Sequence, residues 1–167
     1  HPNVVKIHAL GEHEGCPYIV MEHVPGVALS RFLRDRGTRV GVEEALVVLD
    51  QICRGVSAIH AAGLIHRDIK PANVFFGPAF RVVVLDLGLS HRRDSITTGW
   101  GTPQYLAPEL ADPSSIREDL APRIDVYAIG VMAYELLTGT PVFADDLERL
   151  AALSGVVKPT PPSKRCP

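Results

Sequence analysis

A chain of 167 residues is long enough for one domain with its own core, and 46% hydrophobic against 22% charged residues is the balance of a soluble globular protein. A formal charge of −2 gives no electrostatic reason to expect nucleic acid or an anionic membrane as partner. No apolar run reaches the roughly 20 residues that span a bilayer. The cysteines, Cys16, Cys53 and Cys166, lie far apart without any Cys-x-x-Cys spacing, so neither a zinc site nor a disulfide framework is expected, and a reducing, cytoplasmic setting is.

In chain order, "VVKIHALGEHEGCPYIVMEHV" predicts two short strands, around Val4–Leu10 and Tyr18–Glu22, with a turn over Gly11–Pro17. "LSRFLRDRG" predicts a short amphipathic helix capped by Ser30 and stopped by Gly37. From Glu43 to Ala62 the apolar residues Ala45, Val48, Leu49, Ile52, Val56 and Ile59 form one helical stripe, closed by Gly63. Cys53 falls within that helix and is expected as a small core residue. "NVFF" and "RVVVLD" predict two strands around a Gly77-Pro78 turn. From Ser90 to Pro122 the chain is polar and broken by Gly and Pro, which predicts mostly irregular backbone with a functional purpose. "IDVYAIGVMAYELLTG" is apolar nearly all round and predicts a helix buried on every side. "DDLERLAALSG" begins an amphipathic helix with acids in its first turn, and "KPTPPSKRCP" predicts an extended end.

The chemistry concentrates in "HRDIKPANV" (66–74), where Asp68, Lys70 and Asn73 share one loop after a helix. A base, a cation and a metal ligand are thereby gathered in nine residues. Asp86, at the end of "VVVLD" and followed by Leu87-Gly88, supplies a second carboxylate. Magnesium on phosphate takes few protein oxygens, so one Asp and one Asn amide suffice. Phosphoryl transfer depends on in-line positioning and charge neutralisation more than on covalent chemistry, and this set suits transfer to a hydroxyl. Any one of these residues by itself is the ordinary content of a solvated loop; their ordered series is what carries the reading.

That series resembles a eukaryotic-type (Hanks-type) serine/threonine protein kinase domain. "HRDIKPAN" is similar to the catalytic loop, "DLG" (86–88) to the metal-binding Asp-Phe-Gly, and "APE" (107–109) to the close of the activation segment. "DVYAIGVMAYELLTG" resembles the central helix of the large lobe. "HPNVV" resembles the segment before the fourth small-lobe strand, and "YIVMEHVPG" the fifth strand and hinge. The wording of "VMEHVPGVAL" is similar to bacterial members. The implied fold is α+β, mainly the helical large lobe, with two residual small-lobe strands and hinge over 1–24 and a truncated large lobe over 25–167.

The resemblance also implies roles. Asp68 accepts or orients the substrate hydroxyl proton, Lys70 steadies the phosphoryl group, and Asn73 and Asp86 hold Mg2+. Met21, the Glu22 carbonyl and the Val24 backbone border the adenine of ATP, with Leu29 and Phe75 over its ring. His66 is a packed core histidine against Leu87 rather than a base, and Asp125 bonds the backbone of the catalytic loop. Thr102 contacts Asp68 and Lys70, which with Lys70 itself points to Ser/Thr of protein substrates rather than Tyr. Arg67, directly before Asp68, implies control by phosphate in the activation segment, with Ser95, Thr97 or Thr98 as acceptors. Gly88 completes the metal-binding motif.

No glycine-rich phosphate loop, strand lysine or helix glutamate of the family is found in the 167 residues, and the arginine that pairs with Glu109 is also absent. The expectation is a segment of a longer protein, cut at both ends and weakly active by itself. A non-catalytic kinase-like interaction module and a small-molecule phosphotransferase of the same fold are the rival readings.

Overall fold

A hairpin opens the fold: β1 (Ile7–His13) pairs antiparallel with β2 (Cys16–Met21), Leu10 facing Ile19 and His13 facing Cys16. The strands extend into the expected turn and close instead on Glu14-Gly15, whose φ angles are 50° and 77°. Two left-handed residues give the tight turn whose twist matches the strands, and glycine supplies one of them without steric cost. The computed structural model describes residues 1–36, 40–86, 91–92, 102–111, 117, 119–153 and 157–165. Leu87, Gly88, Ser95, Thr97, Thr98 and Cys166 lie outside the described residues, as does Gly37.

β3 (Val27–Ala28) runs straight into α1 (Leu29–Arg36), so Ser30 lies inside the first turn and not at the cap. α2 (Val42–Ala61) carries the expected stripe: Ala45, Val48, Ile52, Val56 and Ile59 are buried, and Leu49 packs half-buried beside them. The helix ends at Ala62, followed by Gly63 at φ 79°, the left-handed position that glycine fills at helix ends. Cys53 is exposed, not in the core. It follows Ile52 by one residue, which is about 100° round the helix and off the apolar stripe.

Beyond α2 come β4 (Leu64–Ile65), β5 (Val74–Phe76), β6 (Val82–Val84) and β7 (His91–Arg92). β5 sits between β3 and β6 in a three-stranded antiparallel sheet, and β4 pairs with β7. Segment 3–5 adds to this sheet: the Val84 N–H donates to the Asn3 carbonyl at 3.0 Å, and the Val5 N–H donates to the Val84 carbonyl at 3.0 Å. Asn3 is itself buried, its Nδ2 donating to Gln51 Oε1 at 3.0 Å and to the Val82 carbonyl at 2.8 Å. The "HPNVV" motif thus ties the chain start to α2 and β6.

α3 (Arg123–Thr138) crosses α2, and the core between them collects Ile52, Val56, Ile69, Val74, Val84, Ala128, Met132 and Leu136. α3 is buried over a wide arc but not all round, because Val126 is 60% exposed. Gly139, at φ 70°, ends it by donating its N–H to the Glu135 carbonyl at 2.8 Å. α4 (Asp146–Leu153) is started by Asp145, whose Oδ1 accepts the Glu148 N–H at 2.7 Å, while Glu148 Oε2 accepts the Ala144 N–H at 2.6 Å. The expected extended end instead forms a single turn, α5 (Pro162–Arg165), and Arg165 Nη1 donates to Thr140 Oγ1 at 2.8 Å. Among the described residues no helix is long and apolar enough to cross a membrane.

Candidate active site

The site is built on the loop between β4 and β5, and the loop is held from below by one buried carboxylate. Asp125, in the first turn of α3 and fully buried, accepts the His66 N–H at 2.9 Å on Oδ2 and the Arg67 N–H at 2.8 Å on Oδ1. His60 Nε2, from the end of α2, sits 2.7 Å from the same Oδ2. Charge-assisted bonds of this kind are stronger than neutral ones. They hold Arg67 at φ 69°, a left-handed conformation that costs a non-glycine residue about 1–3 kcal/mol. Burial pulls the Arg67 guanidinium below its usual range, with Asp125 opposing the shift.

That backbone kink aims Asp68, which is 6% exposed, at three donors. Its Oδ1 accepts from Thr102 Oγ1 at 3.0 Å, and its Oδ2 from Asn73 Nδ2 at 2.8 Å and Lys70 Nζ at 2.7 Å. Lys70 Nζ also donates to Thr102 Oγ1 at 2.7 Å, closing a ring of three side chains. His66 is fully buried beneath: the Asp68 N–H donates to its Nδ1 at 3.3 Å and its Nε2 lies 2.8 Å from the Leu85 carbonyl. A donor on Nδ1 and a carbonyl on Nε2 together require the proton on Nε2. The ring is a packed strut, and it does not face the site as a base.

Asn73 closes a single helical turn over Pro71–Asn73. Its Nδ2 donates to both the carboxylate and, at 2.9 Å, the carbonyl of Asp68, so Oδ1 is the amide atom that could accept a cation. The Leu85 N–H donates to the Asn73 carbonyl at 2.8 Å, so the next residue, Asp86, enters beside Asn73. Asp86 is exposed and at φ 62°. An amide oxygen and a carboxylate form a hard-oxygen set that fits magnesium shared with phosphate.

Met21, Glu22, Val24 and Phe75 come together around an open pocket of about 390 Å3, joined by His23, Gly26 and Leu85. Leu29 does not belong to it. The structure places Leu29 wholly in the core, in one buried cluster with Leu33 and Val74, because α1 begins at Leu29 and turns that side chain inward. Leu85 takes part instead, a residue whose only sequence signal was its place next to Asp86. The Glu22 side chain turns away from nucleotide chemistry: its Oε1 accepts the Lys6 N–H at 3.0 Å and Arg81 at 3.3 Å, and these bonds hold its carboxyl below the usual range.

On the far side of Thr102, the segment continues through a turn at Pro103–Tyr105 to a second at Pro108–Ala111, where Glu109 is half-buried. Tyr105 donates its hydroxyl to Glu135 Oε2 on α3 at 2.6 Å. Burial pushes both the Tyr105 hydroxyl and the Glu135 carboxyl above their ordinary values. Neither residue was singled out from sequence, although one acid inside an apolar helix was a usable sign. His60 gave no sign at all: a single histidine near a helix end is ordinary.

A family model, Protein kinase domain, matches residues 1–158. This chain belongs to that family. The kinase domain is 38% identical over 172 aligned positions to serine/threonine-protein kinase PknA of Mycobacterium tuberculosis, covering 97% of this chain and 39% of that protein. It is 36% identical to serine/threonine-protein kinase Pkn1 of Myxococcus xanthus, covering 97% of this chain and 24% of that one. Against serine/threonine-protein kinase PknB of Mycobacterium leprae the identity is 36%, over 99% of this chain and 28% of the relative. The kinase domain described here therefore spans two fifths or less of the length of these relatives. All three are bacterial, in keeping with the Hanks-type bacterial resemblance of the motifs.

Proposed function

We propose that the protein carrying this chain is a serine/threonine protein kinase that transfers the γ-phosphoryl group of ATP, with Mg2+, to hydroxyls of protein substrates. The observation that carries this reading is the Asp68 cluster: one carboxylate oriented at once by Asn73, Lys70 and Thr102 within 3.0 Å. In this reading Asp68 orients the Ser or Thr hydroxyl and takes up its proton, and Lys70 exchanges part of its contact with Asp68 for the transferring phosphoryl oxygens. Thr102 holds the two side chains at a fixed spacing, which suits a Ser/Thr rather than a Tyr acceptor. ATP would be held by the Glu22 carbonyl and Val24 backbone against Met21 and Phe75, and Mg2+ by Asn73 Oδ1 and Asp86. Bound there, the ion would neutralise phosphate charge. The reaction belongs in the cytoplasm, where ATP coexists with free thiols such as Cys16 and Cys53.

The test is phosphate transfer by the natural full-length protein with Asp68→Asn as control. The variant should lose about 10²–10⁴-fold in kcat, the range for a positioned general base. An equal signal from both proteins would remove Asp68 from this role, and no transfer by either would leave a non-catalytic module.

A further inference from the structure

The ladder between β1 and β2 runs from His13 facing Cys16 to Ile7 facing Met21, so Lys6 and Glu22 come next in register. Antiparallel residues in a hydrogen-bonded pair exchange two backbone bonds. One of the two is present: the Glu22 N–H donates to the Lys6 carbonyl at 2.8 Å. The other goes to a side chain, because the Lys6 N–H donates to Glu22 Oε1 at 3.0 Å. The carboxylate of Glu22 thus fills the place in the ladder that belongs to its own carbonyl. Arg81, just before β6, bonds it there. Its Nη2 donates to the same Oε1 at 3.3 Å, and its Nε donates to the Pro2 carbonyl at 3.0 Å. Two anchors on one planar guanidinium fix where the carboxylate sits.

We propose that this exchange releases the Glu22 carbonyl for the purine, and that Arg81 is a positioning residue acting through the Glu22 carboxylate. The inference rests on the kinase reading above, in which the Glu22 carbonyl holds ATP. A carbonyl only accepts, and the donor on the adenine ring is its exocyclic amino group. Glu22 borders the open pocket of about 390 Å3 with Met21, Val24, Phe75 and Leu85, so a carbonyl freed from the ladder has the nucleotide's place beside it. A backbone carbonyl needs a donor, and the amino group supplies one. Without the carboxylate, the Lys6 N–H returns to the carbonyl of residue 22 and turns it back to the strand. The nucleotide then loses the group that tells an amino substituent from an oxygen.

The experiment compares ATP with inosine triphosphate, which carries an oxygen acceptor where adenine carries the amino donor, in phosphate transfer by the natural full-length protein. The parent should favour ATP in kcat/KM. Glu22→Ala should lower the ATP-to-ITP ratio about two- to ten-fold, the worth of one hydrogen bond. Glu22→Gln, whose amide oxygen still takes the Lys6 N–H, should recover most of that loss. Arg81→Met should lower the ratio by up to about five-fold, as expected for a partly exposed ion pair, and Arg81→Lys by less. Added to Glu22→Ala, Arg81→Met should change the ratio no further, since its effect passes through the carboxylate. The readout is a ratio, so a general loss of stability or activity leaves it unmoved, and Arg81→Met covers the case in which Glu22→Ala fails to fold. Equal use of ATP and ITP by the parent, or a ratio that neither Glu22→Ala nor Arg81→Met shifts, overturns the proposal while leaving the kinase reading intact. A further loss from Arg81→Met on top of Glu22→Ala overturns the role given to Arg81. Absence of transfer from either nucleotide to any protein acceptor overturns the kinase reading itself, and this proposal with it.

Discussion

Glu135 is an ionisable group near the end of a largely buried helix, and its carboxylate accepts the Tyr105 hydroxyl at 2.6 Å. Burial raises its carboxyl more than that hydrogen bond lowers it. The folded protein therefore binds the proton more tightly than the unfolded chain, so the stabilisation is complete below the ordinary carboxylate range and is lost as pH rises through the raised value. Glu135→Gln keeps an acceptor for Tyr105 and removes the titration. Denaturant midpoints across pH should show the variant gaining on the parent as pH rises from the acid side, with a constant difference once Glu135 is ionised. A difference independent of pH would mean that Glu135 is not titrating from this buried state. At the same scale Asp125 illustrates what spacing alone conveys poorly. Its place at the start of a helix was visible, yet its partners come from α2 and from two successive residues, His66 and Arg67, of the loop that carries Asp68.

At the scale of elements, the loop that carries Asp68 keeps its shape because Asp125 of α3, itself bonded by His60 of α2, holds its backbone, and α2 in turn carries the chain start. Gly55 allows that approach: a Cβ there would stand 2.5 Å from the Asn3 carbonyl oxygen. A backbone oxygen cannot swing aside as a side chain can, so Gly55→Ala must separate α2 from segment 3–5. The expected cost is about 1–3 kcal/mol, the usual penalty for overpacking. Chemical denaturation would register this as a lower midpoint at unchanged slope, and a midpoint equal to the parent's would show the contact to be dispensable. The strands show the reverse of this certainty. β1 and β2 outgrew their expected limits because the polar residues Glu12 and His13 continue the ladder on an exposed hairpin, where polarity does not argue against a strand. α5 was missed because a four-residue turn is fixed by contacts, here Tyr134 Oη to the Thr160 carbonyl at 2.8 Å and Arg165 to Thr140.

At the scale of the whole molecule, the hairpin leaves much apolar surface uncovered. Leu10 is 74% exposed and Ile19, directly opposite, 43%, and Tyr18, Val20 and Met21 are exposed to a similar degree. Contiguous apolar surface of this kind drives association. The 167-residue chain by itself should bind a hydrophobic dye and scatter light as concentration rises, and Leu10→Lys with Ile19→Glu should lower both signals. Opposite charges on facing residues support the pairing, so hairpin formation is retained. Dye binding unchanged in the double variant would place the sticky surface elsewhere.

What the sequence by itself determined was the order and type of the main elements and the choice of Asp68, Lys70, Asn73 and Asp86 as the candidate set, because periodicity and motif spacing are local properties written along the chain. The stripe of α2 and its Gly63 stop were legible for the same reason. Tertiary structure alone decided which side chains close a pocket: Leu29 went to the core and Leu85 to the hinge pocket, because one residue of helix phase at the start of α1 determines which way a side chain points. It also decided that Ala72, Ser30 and Tyr105, separated by up to 75 residues, line one pocket beside the Asp68 cluster. Proximity across the chain depends on how helices and loops pack, and no spacing within a single motif encodes it.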